Sequence, residues 1–96
     1  MVVHVVFFKF QEENKGSNIQ KVKVMLEDLV EKIPSLLSME VGVNFTQSPR
    51  AFDMSLYSTF NSEADLKIYA THADHLKVLE FIKSVVVETK VVDYIV

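Results

Sequence analysis

Residues 2–10, Val2-Val3-His4-Val5-Val6-Phe7-Phe8-Lys9-Phe10, decide how the rest of the chain has to be arranged. β-Branched and aromatic side chains favour a pleated strand, and this one is apolar at both parities. Val2, Val6, Phe8 and Phe10, with His4 among them, fall on one face, and Val3, Val5 and Phe7 fall on the other. A strand of that composition must be covered on both sides. Outward from it, a polar stretch from Gln11 to Asn18 contains Gly16, and Ser17 with Gln20 has the spacing of a helix capping box. The helix predicted from there carries Ile19, Val22, Leu26, Leu29 and Ile33 on its apolar stripe, widened by Met25 and Val30. Pro34 ends it by forcing Ile33 away from helical angles.

Two strands follow. From Ser38 to Thr46, Met39, Val41, Val43 and Phe45 alternate with Glu40, Gly42, Asn44 and Thr46, the pattern of a half-buried strand. Beyond the turn at Gln47-Ser48-Pro49-Arg50, Phe52, Met54, Leu56, Ser58 and Phe60 alternate with Asp53, Ser55, Tyr57 and Thr59, so the two runs form a hairpin. Ser62 and Asp65 mark the start of a short helix with Leu66, Tyr69 and Ala70 inward. Thr71 and Asp74 repeat that start signal, and a further helix is predicted from His72 to about Val87. Its phase aligns His75 with Leu79, Ile82 and Val86, so this histidine points with the apolar stripe. Glu88 to Val96 closes the chain as a strand, with Thr89, Val91, Asp93 and Ile95 opposite Lys90, Val92, Tyr94 and Val96.

The order strand, helix, strand, strand, helix pair, strand is that of the α+β, ferredoxin-like split βαβ fold with an antiparallel sheet. Both helical elements then lie on one face of the sheet, and nothing in the chain remains for the other. Val3, Val5, Phe7, Val92 and Tyr94, mixed with Ser55, Tyr57, Thr59 and Asn44, are left open there. An apolar patch of that kind marks an interface, and a second copy related by a two-fold axis is its commonest partner, so a sheet-on-sheet homodimer is expected. The length, 96 residues, fits a single domain over 1–96. No apolar run approaches the ~18 residues of a membrane span, and no signal-peptide pattern opens the chain. Cysteine is absent, which suits a reducing compartment, and a cytoplasmic protein is expected. A net charge of −3 without any basic cluster argues against nucleic acid as a partner.

Several of these pieces resemble the stress-responsive dimeric α/β-barrel (Dabb) domain. They are the opening Val-His-Val-Val-Phe-Phe-Lys-Phe, Ile33-Pro34 followed by a leucine pair, Glu40-Val41-Gly42-Val43-Asn44, Phe52-Asp53-Met54-Ser55-Leu56, Tyr69-x-x-His72-x-x-His75 and the closing Val91-Val92-Asp93-Tyr94. The resemblance covers essentially the whole chain, and it implies a ferredoxin-like protomer that dimerises through its sheet into a barrel. The family includes plant stress proteins known for stability and assembly, and a cofactor-free polyketide cyclase. By resemblance to that cyclase, the site would use Tyr69 and His75 of the helical segment with His4 of the first strand in support. Where the cyclase has a third-strand histidine this chain has Met54, where it has a pocket tyrosine on the first helix this chain has a residue at or near Leu26, and the family's usual proline between the helical histidines is Ala73.

The residue types agree with such a site on their own chemistry. Two imidazoles and a phenol facing one apolar space supply a donor, an acceptor and a group that titrates near neutrality. In that space desolvation lowers the pKa of His75 and favours its neutral, basic form, while Tyr69 can donate to a carbonyl oxygen that becomes negative. The expected lining is Met25, Leu26, Met39, Met54, Leu79 and Val91, suited to a small hydrophobic carbonyl or aromatic ligand. His72 and His75 have a spacing that could share an ion but lack a third ligand, so no metal is expected. No glycine-rich phosphate loop or nucleophile motif is present, and no cofactor is expected. Three readings stand side by side: a ligand-binding barrel dimer, a cofactor-independent enzyme of the cyclase or monooxygenase type, and a stress or assembly protein without small-molecule activity.

Overall fold

In the computed structural model, which describes residues 1–96, the first strand occupies an inner position of the sheet, as its two apolar faces require. This strand, β1 (Val2–Phe10), lies between β3 (Met54–Phe60) and β4 (Val86–Ile95), and β2 (Ser38–Val43) pairs with the outer side of β3. Every pairing is antiparallel, and the sheet order is β2-β3-β1-β4. The helices are α1 (Lys15–Glu27) with the single turn α2 (Leu29–Lys32), then α3 (Glu63–Thr71) and α4 (Ala73–Val85). The fold is therefore the ferredoxin-like α+β arrangement, with the β2–β3 hairpin as expected. No helix is long and apolar enough to cross a membrane.

The core lies between the helices and one sheet face. Val2, Val6, Phe8 and Phe10 of β1 join Leu56 and Phe60 of β3 there. Ile19, Val22 and Leu26 of α1 and Val78, Ile82 and Val85 of α4 close over them. Alternation sends the intervening side chains to the opposite face: Val3 pairs with Thr59 and Tyr94, Val5 with Tyr57 and Val92, and Phe7 with Ser55 and Lys90. Val3 is fully buried between its two neighbours, while Phe7, Tyr57, Val92 and Tyr94 remain between 41 and 55% exposed. Pro34 acts as expected, since Ile33 takes extended angles (φ −120°, ψ 102°) at the end of α2.

Local details differ from the sequence reading at several points, and two of them are that the first helix breaks at Asp28 and that β3 starts at Met54 instead of Phe52. α1 begins at Lys15, two residues before Ser17, because Asn14 adopts the left-handed conformation (φ 55°) that asparagine tolerates and turns the chain there. Ser17 is then inside the first turn, donating its hydroxyl to the Asn14 carbonyl at 3.1 Å, and caps nothing. β2 stops at Val43 instead of Thr46. The Asn44 side chain donates to the Thr46 carbonyl at 2.8 Å and bends the backbone, which leaves Phe45 97% exposed and outside the core. α4 ends at Val85 and β4 starts at Val86, not at Glu88: three successive valines, stiff at χ1, favour the strand over another helical turn. Ala70 faces solvent, because only Tyr69 of the α3 face is driven fully inward.

Candidate functional site

The junction of α3 and α4 is built by a histidine. Thr71, expected as the cap of the second helix, instead donates its hydroxyl to the Lys67 carbonyl at 3.1 Å and finishes the first. His72 takes extended angles and its Nδ1 accepts from the backbone N–H of Asp74 at 3.1 Å, so the imidazole is the N-cap of α4. Acceptance at Nδ1 places the proton of the neutral ring on Nε2.

His75 follows in the first turn of α4, inward and half-buried. Its Nδ1 lies 3.0 Å from the Ala70 carbonyl oxygen. A carbonyl can only accept, so Nδ1 carries the proton and Nε2 keeps a free lone pair. Burial holds this imidazole below its ordinary pKa of 6.5, against the opposing pull of the Ala70 carbonyl, with His4 and His72 adding to the lowering. The uncharged, basic form is the resting state.

Tyr69 sits beneath it. The phenol ring is 4.2 Å from the His75 ring and 5.2 Å from that of Phe60, centroid to centroid, and its edge faces His4 at 6.5 Å. It is 1% exposed, and its hydroxyl is buried without any hydrogen-bond partner. Burial pushes the phenol above its ordinary range, so it stays protonated. Leaving such a group unpaired costs about 1–3 kcal/mol, and a native fold seldom carries that cost without use.

His4 reaches the cluster from the sheet. Its Nδ1 is bonded to the Asp93 carboxylate of β4, which faces it directly across the β1–β4 ladder. The carboxylate accepts, so Nδ1 of a neutral His4 is the donor and Nε2 is again free. Asp93 did not figure among the sequence candidates. Its parity with Val91 and Ile95 already put it on the helix side, and counting the β1–β4 register in this topology would have placed it opposite His4. Together His4, Tyr69 and His75 form one cluster between helices and sheet, with two imidazole nitrogens able to take a proton and a phenol able to donate one.

The expected lining residues are arranged otherwise than an open pocket requires. Leu26 and Met54 are buried in the core, Met25, Met39 and Leu79 pack partly buried against it, and Val91 is 51% exposed on β4. Tyr69, Phe60 and Leu26, among the largest fully buried side chains, fill the space that a preformed cavity would need. The substantial depressions lie away from the cluster, among them one of about 630 Å³ between Lys9, Lys15, Phe45 and Asp53. One groove of about 540 Å³ runs between α3 and β4, with Leu66, Asp93 and Ile95 in its walls. A hollow of about 320 Å³ opens at the sheet's uncovered face beside Phe7, Gly42 and Phe52, and includes Met54. None of the three is lined by Tyr69 or His75, and the groove touches the cluster only through Asp93. No three His, Cys, Asp or Glu side chains converge as they would to hold a metal ion.

The family model of the stress responsive A/B barrel domain (Dabb) matches residues 2–96. The stress-response A/B barrel domain-containing protein DABB1 of Arabidopsis thaliana is 27% identical over 100 residues, covering 99% of this chain and 47% of that protein. The chain thus spans about half the length of the curated relative it matches. A dimeric protein of unknown function with a ferredoxin-like fold from Bacteroides fragilis superimposes with a TM-score of 0.87 at 31% identity, covering 97% of this chain and 93% of that one. Hydroxynitrile lyase from Passiflora edulis superimposes with a TM-score of 0.88 at 19% identity, over 99% of this chain and 92% of that one, a likeness of fold alone. A family pattern that runs from the second residue to the last, on the shared ferredoxin-like fold, makes this chain a member of the stress responsive A/B barrel domain family.

Proposed function

We propose that this chain is a single A/B barrel domain that works as a cytoplasmic homodimer and binds a small hydrophobic carbonyl or aromatic compound at His4, Tyr69 and His75. The observation that carries the reading is the Tyr69 hydroxyl, buried and unpartnered on a ring that packs against the His75 imidazole. A ligand oxygen accepting from it would remove the cost of leaving it unpaired. Leu66, partly buried in α3 one turn before Tyr69, lines the groove that reaches Asp93. The dimer is supported by the uncovered apolar side chains Phe7, Tyr57, Val92 and Tyr94 and by the dimeric relative from Bacteroides fragilis.

The chemistry open to such a site needs no cofactor. Nε2 of neutral His75 takes a proton from the carbon next to the bound carbonyl, the electron pair moves onto the carbonyl oxygen, and Tyr69 donates its hydrogen bond to that oxygen. Return of the proton from His75 to another carbon or to oxygen completes an isomerisation; attack of the enolate carbon on a second carbonyl of the same ligand, whose oxygen takes that proton instead, completes a cyclisation. An enzyme of the polyketide cyclase or monooxygenase type is the first alternative. A stress or assembly protein with no small-molecule activity is the second, and the filled interior around Tyr69 favours it.

The test is a screen of enolisable carbonyls and phenols by ligand-observed NMR on the unchanged protein, Tyr69→Phe and His75→Ala. Loss of binding in both variants, with dimer and fold retained, is the expected result. Binding indifferent to both substitutions, or no binding by any compound of these classes, would assign the function to assembly.

A further inference from the structure

Resting on the site just proposed, we infer that His72 is a pH-sensitive latch on it. As a neutral ring His72 caps α4 and holds the turn that carries His75 against Tyr69; as an imidazolium it changes partner to the Asp74 carboxylate, and that turn loosens over the buried phenol. His72 is the single residue between α3 and α4. Three side-chain bonds hold the joint around it. Thr71 Oγ1 donates to the Lys67 carbonyl at 3.1 Å, His75 Nδ1 donates to the Ala70 carbonyl at 3.0 Å, and His72 Nδ1 accepts from the Asp74 N–H at 3.1 Å.

Of the three, only the last is lost when a proton binds the side chain that makes it. Helices are ordinarily capped by a hydroxyl, a carboxamide or a carboxylate. A histidine there brings in the side chain that changes its charge between about pH 5 and pH 8. Protonation turns Nδ1 from acceptor into donor, so the Asp74 N–H loses its partner, and it sets a positive charge at the positive end of the helix dipole. Asp74 itself offers the alternative. Its Oδ2 lies 3.8 Å from Nδ1, beyond hydrogen-bond length for the neutral ring and within ion-pair reach of the charged one. Both side chains are partly exposed, so the ring is free to turn, and no other acid pairs with it.

His75 is the third residue of α4, and its ring stands 4.2 Å from that of Tyr69. The first turn of a helix that loses its cap frays before the rest. His75 then moves off Tyr69, and the unpaired hydroxyl meets water or a ligand. The remaining titratable and charged groups of this corner do not take over the switch. Asp93 is bonded to His4 on the sheet, Glu63 and Lys67 of α3 line the groove toward β4, and Glu31 and Lys32 of α2 and Lys77 of α4 are exposed. His75 keeps its Nδ1–H bond to Ala70 in either protonation state. A charge on His72 also pushes the His75 pKa further down, so the base stays neutral while the joint is open.

The experiment follows backbone amide exchange by NMR in the full chain, with no compound added, between about pH 8 and pH 5 and with rates corrected for their intrinsic pH dependence. Asp74 and Leu76, whose N–H groups bond to His72, are expected to lose protection about fivefold or more across that range, while the amides of β1 keep theirs. His72→Asn supplies a cap without a charge and should hold that protection constant to within about twofold. Asp74→Asn removes the carboxylate that receives the charged ring and should move the loss to lower pH. In the unchanged chain, imidazole nitrogen resonances should show His72 Nδ1 unprotonated at the alkaline end and protonated with the same midpoint as the loss of protection. Protection independent of pH, an equal loss in His72→Asn, or a His72 Nδ1 that carries its proton throughout would each overturn the latch. Should His72→Asn fail to fold, the two midpoints in the unchanged chain decide, and different values overturn it. All of this is read without a ligand, so the latch can fail while the proposed site stands. A site that fails the binding screen while the exchange behaves as described would keep the latch as a property of the helix joint alone.

Discussion

The two faces of the sheet start from the same strand and end in different circumstances. Val6, Phe8, Leu56 and Phe60 on the helix side are at most 7% exposed, whereas Phe7, Tyr57, Val92 and Tyr94 on the other side stay 41–55% exposed although their chemistry is as apolar. Two helical layers of this length can cover one face only. Side chains of like hydrophobicity thus acquire different work: those under the helices hold the protomer, and those on the open face are available to hold a partner. The candidate cluster belongs to the first face, and within it the Tyr69 hydroxyl is buried without a partner while His4 and His75 each have one.

Phe60→Ala strikes the covered face where it is deepest. It should cost about 3–5 kcal/mol, the range for truncating a buried phenylalanine. The loss should appear in urea melts at every protein concentration, because the contact is internal to the protomer. Phe7→Asp should act on the other face at a similar scale, ~3–5 kcal/mol for an uncompensated charge buried between the sheets, but as a loss of association. Sedimentation should then show monomers while dilute-solution circular dichroism keeps the helical signal. A Phe7→Asp chain that remained a dimer of normal stability would break the distinction between the faces.

Titration separates the cluster from its surroundings. The His75 imidazole is neutral in the fold and below its ordinary value of 6.5, so the unfolded chain binds the extra proton first as the pH falls. Its contribution is therefore complete above pH 6.5 and is lost progressively below it. Tyr69 has the mirror behaviour: its phenol is raised above the ordinary 10.0, so the unfolded chain ionises first and stability falls above pH 10. Tyr69→Phe should flatten the alkaline limb and, by removing a buried unpaired hydroxyl, raise stability at neutral pH by about 1 kcal/mol. Thermal melts across pH check both. A destabilised Tyr69→Phe would mean that the hydroxyl has a partner and would remove the main support for a ligand there.

The smallest effect should come from the helix junction. His72→Ala removes the N-cap of α4 and should cost about 1 kcal/mol, whereas Thr71→Ala, which touches only the end of α3, should cost less. Equal losses at the two positions would return the cap to Thr71.

Periodicity is a local property, and what rests on it was legible. The two parities of β1, the alternation in β3 and the phase that turns His75 inward all follow from spacings of two and of three to four residues, which any chain of this sequence carries before it folds. The Ser62 cap was equally plain, since Asp65 N–H does meet its hydroxyl at 3.1 Å. Element ends were less so, because competing local bonds decided them: Asn14 turned left-handed ahead of Ser17, Asn44 bent the chain before Phe45, and an imidazole took the capping role from Thr71. The sequence by itself therefore determined the fold, the open face and the inward placement of His4, Tyr69 and His75. Only the tertiary structure decided that the Asp93 carboxylate reaches Nδ1 of His4 and that Tyr69 is sealed with its hydroxyl unpaired. Those facts depend on register and packing between segments up to ninety residues apart in the chain, and no pattern within one segment encodes them.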